Sequence, residues 1–261
     1  MGARQRIVAK WPNMMLKSDR TSDSVVQKLV ILKGFPVRID LAEVLRGQGA
    51  DPAKVNLRES VRVMYEEAIE ESAGLLEPAI AYEICKIREI RHCQTVLGNG
   101  LAFRSHLVAS VMKSAREAAL VVCTIGSRLE ARVSEYFARN QPTKAVVLDA
   151  VGIEAVNRVS EEASRRVEVE AADRGLKASI PINPGMSSMC SLEEQEVVFK
   201  VVDAERIGVK LSSSSVMIPL KSISMIVGLG EDVPTRDTGS QCDFCSLRET
   251  CRHRRGSPYL A

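Results

Sequence analysis

Apolar and polar positions change period along the chain, and the changes predict a mixed α/β protein. Over residues 25–37 the run VVQKLVILKGFPV, interrupted by Gly34 and Pro36, predicts strand or hairpin-like structure, after which Asp40 caps a short helix through Leu45. Leu57, Val61, Met64, Tyr65 and Ala68 recur at helical spacing over 57–73, with acidic residues facing out. Glu77-Pro78 ends that helix, and AIAYEICKIREI follows with mixed helix and strand signals. Beyond the turn Gly98-Asn99-Gly100, the spacing predicts a helix over 105–119 and then a buried strand, LVVCTIG, closed by a glycine turn. The helix SRLEARVSEYFARN comes next, and Pro142-Thr143 opens the longest one. Val147, Val151, Val156, Val159, Ala163 and Val167 share one broad face of it, and Gly175 is its stop.

The remaining third predicts a strand at LKASIPI, a capping box of Ser191 and Glu194 for the helix LEEQEVVFKVVDAER, and two apolar runs, IGVKLS and SISMIVGLG, joined through VMIPLK. The serines 212–215 read as a solvated hairpin turn. These signals divide the chain into a polar N-terminal arm (1–25), a main domain (26–230), and a linker with a cysteine-rich segment (231–261). The last piece is too short to fold on its own apolar burial and needs a metal or a docking surface.

Composition narrows the function. With 36 basic and 33 acidic residues the net charge is only +3, and aromatic residues are scarce, so nucleic-acid binding is not expected. No run approaches the roughly 20 apolar residues that span a bilayer, and the first residues lack the apolar stretch of a secretory signal. The expectation is a cytoplasmic protein with no membrane partner.

Seven cysteines, an odd number without an export signal, argue against a disulfide framework and leave thiols for metal. Cys85, Cys93 and Cys123 sit among Ile, Val and Leu and are expected in the core. Cys242-x2-Cys245-x5-Cys251 differs, because it puts three thiolates in one short polar segment, as a zinc site or an iron–sulfur cluster requires. Cys190 is the best distant fourth ligand and His253 the best local one. Four thiolates favour a [4Fe–4S] cluster, whereas three cysteines with His253 suit structural zinc. Arg248, Arg252, Arg254 and Arg255 could offset a cluster's negative charge or form a docking patch. His92 and His106 have no carboxylate partner at a useful spacing and read as structural. Gly126 reads as a packing turn, and Asp149 and Glu154 as helix-surface residues.

Four stretches stand out, Cys123-Thr124-Ile125-Gly126, LDAVGIEAVN (148–157), PGMSSMCSLEEQ (184–195) and IGVKLSSSSVMIPLKSISMIVGLG (207–230). Together they resemble the activation domain of cobalamin-dependent methionine synthase and its stand-alone relatives in anaerobes. The resemblance implies an α+β domain, a twisted and largely antiparallel sheet with helices packed against it. It also implies S-adenosylmethionine binding and docking to a corrinoid protein, whose cobalamin is reduced and remethylated. The family's Arg and Tyr around the Pro-Gly turn are absent, since the segment here is Pro181-Ile182-Asn183-Pro184-Gly185-Met186. The site implied is then Gly185 and Met186, with Lys177 or Lys221 as a point charge for the ligand's carboxylate.

Three functions follow. One is an accessory protein that docks to or reductively activates a corrinoid protein, with an iron–sulfur cluster on Cys190, Cys242, Cys245 and Cys251 delivering the electron. Another is a docking module whose tail is stapled by zinc. The third is an S-adenosylmethionine-dependent methyltransferase for cobalamin reactivation.

Overall fold

A computed structural model describes residues 29–186, 190–244 and 248–249. The 1–25 arm and the candidate ligands Cys245, Cys251 and His253 lie outside the described residues. The chain begins with strand β1 (Val30–Lys33) and helices α1 (Leu41–Gly47) and α2 (Glu59–Ala73). Strands β2 (Ala79–Arg91), β3 (Gln94–Leu97) and β4 (Ala102–Phe103) lead to helix α3 (His106–Val111) and strand β5 (Glu117–Thr124). Helices α4 (Arg128–Ala138) and α5 (Pro142–Asp173) follow, then strand β6 (Lys177–Ala178) and helix α6 (Gln195–Val201). A small hairpin, β7 (Lys210–Leu211) with β8 (Met217–Ile218), precedes strand β9 (Ser222–Gly230).

The seven-stranded sheet runs β4-β3-β2-β5-β9-β6, with β1 on the edge of β2, and every pairing is antiparallel. Strand β5 is buried on both faces, which is why it reads as an unbroken apolar run. Its Ala119, Val121 and Cys123 join the layer under α1, α2, α4 and α5, and its Ala118, Leu120 and Val122 join the layer under α3 and α6. The valine face of α5 lies in the first layer, as its spacing predicts. Asp40 accepts the Ala42 N–H at 2.7 Å and caps α1.

Four expectations are corrected, and one segment left open between helix and strand is settled. The segment 105–119 is helical only through Val111, because Ala118 and Ala119 are small enough to be fully buried in β5 between β2 and β9, and pairing on both sides overrides helix propensity. AIAYEICKIREI resolves as strand, with β1 and β5 flanking its first half and β3 its end. The capping box does not form. Ser191 makes no side-chain cap, and both carboxylate oxygens of Glu194 accept the Arg104 N–H at 3.0 and 3.1 Å, so a tertiary donor takes the group that the local motif needs. The helix that it was to open is also shorter: a 3₁₀ turn (Leu192–Glu194) leads into α6, which stops at Val201. Finally, Cys93 is exposed in the β2–β3 turn, while Cys85 and Cys123 are core residues as expected.

Gly230 marks the closest approach in the sheet. A Cβ there would collide with the Ser114 carbonyl oxygen and meet Ala115 Cα at 3.0 Å, both parts of backbone that cannot swing away. Gly230→Ala should therefore destabilise the fold by about 1–3 kcal/mol in urea denaturation, the usual cost of overpacking. Gly47→Ala, where nothing lies within 4 Å, should not destabilise it. Equal midpoints for the Gly230 variant and the parent protein would contradict this packing.

Candidate functional site

The segment after β6 follows β9 as far as Ile182, which exchanges two 2.9 Å hydrogen bonds with Ile226, and then leaves the sheet in a tight turn over 183–186. The turn has Pro184 at its second position, Gly185 at φ 85° in its third, and a Met186 N–H to Asn183 carbonyl bond of 3.2 Å, the type II pattern. Gly185 also donates to the Cys190 carbonyl at 3.0 Å. Only glycine suits that position, both for its φ and because a Cβ would meet Leu192 Cδ1 at 2.9 Å.

Opposite the turn stands the middle of α5, and between them lies a cleft of about 500 Å³. Asn183 and Met186 line one side, Glu154, Arg158 and Glu161 the other, with Ile180 and Met225 as apolar lining. Arg236 and Cys242 of the 231–261 segment complete it. A second cleft of about 810 Å³, between 35–38 and α5, shares Arg158, Glu161 and Arg236 with the first.

The charges in the cleft are unevenly engaged. Glu154 is 7% exposed, and burial pushes its carboxyl above the usual carboxylate range while Arg158 pulls the other way. Arg158 donates to Glu154 at 2.6 Å and to Glu161 at 3.2 Å and lies 3.7 Å from Glu43, so three carboxylates share one guanidinium. Arg236 is paired with Glu168 at 3.5 Å. The cleft thus combines an excess of carboxylate with a more loosely held guanidinium, which suits a ligand bearing both cationic groups and a carboxylate.

No family model matches this chain, and no curated protein sequence does. A crystal structure of the MetH reactivation domain bound to AdoHcy matches with a TM-score of 0.56 at 12% identity, over 76% of this chain and 78% of that one. The fold is that of the MetH reactivation domain. The α+β class and the antiparallel sheet expected from the sequence motifs are those of this fold.

Within the reactivation-domain fold, the residues proposed from sequence fall into separate places. Gly185 and Met186 form the turn at the cleft, and Met186 is 63% exposed. Lys221 stands elsewhere, at the start of β9. Its ammonium meets Asp149 of α5 at 2.6 Å, its N–H meets the Glu130 carboxylate, and its carbonyl accepts the Ile125 N–H at 3.2 Å. That lysine joins α4, α5 and the sheet, and its charge is already engaged. Lys177 is exposed and pairs with Gly230 across the sheet.

Of the metal candidates, Cys242 is half-buried and lines the cleft. Cys190 is fully buried in the layer under α3 and α6, and burial pushes its thiol up to about 11, against a lowering contribution from its hydrogen bond with Ser105. Among the described residues no three His, Cys, Asp or Glu side chains form a group able to hold a metal, and no helix is long and apolar enough to cross a membrane. His92 and His106 meet edge to face, with ring centroids 5.3 Å apart.

Sequence reasoning missed Arg158, Arg236 and Asn183. The Glu154–Arg158 spacing of four was a legible signal for a helical pair, but nothing in it pointed to a cleft. Arg236 lies in the linker, and only the tertiary fold brings it against α5.

Two outcomes follow from the buried groups. In the folded, metal-free protein, iodoacetamide at pH 8 should label Cys93 and Cys242 and spare Cys85, Cys123 and Cys190, as read by peptide mass spectrometry; labelling of Cys190 as fast as Cys93 would contradict its burial. Arg158→Leu should cost about 1–3 kcal/mol at pH 7 by leaving Glu154 without its closest cation. Because the folded-state pKa of Glu154 is raised, and rises further without Arg158, that cost should be present above the folded pKa and disappear below the unfolded value. Denaturation at pH 7 and at pH 4 checks this, and a penalty unchanged between them would count against it.

Proposed function

We propose that this protein is an accessory protein of corrinoid methyl-transfer chemistry, one that binds S-adenosylmethionine or its demethylated product in the cleft and docks to a corrinoid protein for reactivation. The observation that carries the reading is the cleft itself: in a fold shared with a domain whose crystal structure is bound to AdoHcy, the Pro-Gly turn named by the sequence motif faces α5 across a cavity of ligand size. Its lining fits the ligand. Arg236 can take the carboxylate that the family's missing Arg would hold, Glu154 and Glu161 offset the ammonium and sulfonium charges, and Ile180, Met186 and Met225 shield the apolar atoms from water. S-adenosylmethionine, when bound, supplies the methyl group; the protein's part is to orient it and keep the site dry.

The finer part of the proposal is redox. Cys242, Cys245 and Cys251 have the spacing for an iron–sulfur cluster, and reduction of cobalamin needs an electron donor. Cys242 lines the cleft, beside the proposed ligand. The alternative is structural zinc, with His253 in place of Cys190 completing a closed Cys3His set on Cys242, Cys245 and Cys251.

Calorimetric titration of the full chain with AdoHcy tests the ligand, and metal and sulfide analysis after anaerobic purification tests the tail. The proposal expects saturable binding that Arg236→Met weakens about tenfold or more, the loss of one charge-assisted contact. It also expects iron with sulfide in the parent protein and neither in Cys245→Ala. Absence of AdoHcy binding at millimolar ligand would overturn the cleft reading; zinc without sulfide would end electron delivery and leave the docking role.

A further inference from the structure

Asn183 occupies a place in the hydrogen-bond ladder that the chain cannot fill with its backbone. Ile182 and Ile226 form a doubly bonded antiparallel pair, so the next bonded pair on that side would be residues 184 and 224, with the N–H of 184 donating to the Ser224 carbonyl. Residue 184 is proline and has no N–H. Instead Asn183 Nδ2 donates to the Ser224 carbonyl at 2.8 Å. The side chain stands in for the missing backbone donor one residue before the turn departs toward the cleft.

The acceptor strand is itself pinned at that point. Ser224 is 3% exposed, and its hydroxyl donates to Gln195 Oε1 at 2.9 Å; Gln195, 1% exposed, donates in turn from Nε2 to the Ser215 carbonyl at 2.8 Å. Buried polar groups satisfied on both sides in this way hold a unique geometry, because any displacement strands a donor or acceptor away from water. The Asn183 amide therefore ties the 183–186 turn to β9, and β9 is fixed there to α6 and the β7–β8 turn.

We infer that Asn183 is a positioning residue for the ligand cleft: through its bond to Ser224, and with Gln195 behind Ser224, it holds the 183–186 turn, whose Met186 lines the cleft, at the distance from α5 that ligand binding requires. This rests on the reading of the cleft as a site for S-adenosylmethionine or AdoHcy. A proline at 184 preorganises the turn but removes the donor that would anchor it, and the asparagine restores the anchor without loss of the turn's φ preference.

The two roles can be separated by returning the N–H to the backbone. In the full chain, Asn183→Ala should weaken AdoHcy binding about fivefold, the worth of one neutral hydrogen bond, and speed hydrogen exchange at the Gly185 and Met186 amides. Asn183→Ala combined with Pro184→Ala should recover affinity to within about twofold of the parent and restore exchange protection, because residue 184 can then donate to Ser224 itself. Parent-like affinity in Asn183→Ala, or no recovery in the double variant with its thermal midpoint intact, would overturn the inference. If the parent protein binds no AdoHcy, the cleft reading falls. Exchange rates at Gly185 and Met186 then decide the anchoring role alone: unchanged rates in Asn183→Ala refute it, and faster rates reversed by Pro184→Ala support it.

Discussion

Everything in this molecule is referred to the packing of one 32-residue helix, α5, across the face of β5 and β9. The contact is close because the helix presents small and β-branched residues to the sheet: Ala145, Val151, Ala155, Val159, Ala163, Val167 and Ala171 are buried almost completely. At Gly152 the approach of α4 is tighter still, since a Cβ there would lie 2.6 Å from Leu129 Cδ2. Each buried valine contributes about 1.5–3 kcal/mol of transfer free energy, so the helix cannot shift or rotate without exposing several at once. Polar contacts then fix its register: Tyr82 of β2 donates to Glu170 at 2.6 Å, and Lys221 meets Asp149 at 2.6 Å.

With α5 held in this way, its other side becomes a rigid platform. Glu154, Arg158 and Glu161 project from the middle of it, where the departing turn after Ile182 and residues 236–242 face them. A ligand cleft made between a long packed helix and a proline-glycine turn needs little of its own stability. The turn contributes shape through φ at Gly185 and the anchor at Asn183, and the helix contributes charge.

Much of the scaffold is legible in the amino-acid sequence, because its signals are local. The valine spacing, Pro142 and Gly175 mark α5; the run LVVCTIG marks β5; Asp40 marks the start of α1. Sequence and fold diverge where a distant partner overrides a local preference. Ala118 and Ala119 are good helix formers that pair on both sides as strand, Glu194 leaves its capping motif for the Arg104 N–H, and Cys93 belongs to a hairpin turn despite its apolar neighbours. The site is half legible. A proline-glycine turn can be read from sequence, but the guanidinium groups that line the cleft come from α5 and from the linker, and only the fold brings Arg158 and Arg236 together. Nothing local to Lys221 reveals that its ammonium meets Asp149, 72 positions earlier.

The proposed function stands on ligand binding between the Pro-Gly turn and α5. The most direct measurement is NMR of the full chain with labelled methionine methyl groups, titrated with AdoHcy. Of the nine methionines, Met186 and Met225 line the cleft, while Met112 is buried beneath α3 on the opposite layer. Binding in the cleft predicts saturable shifts at Met186 and Met225 with Met112 unmoved; saturation with both cleft methyls unchanged would contradict it.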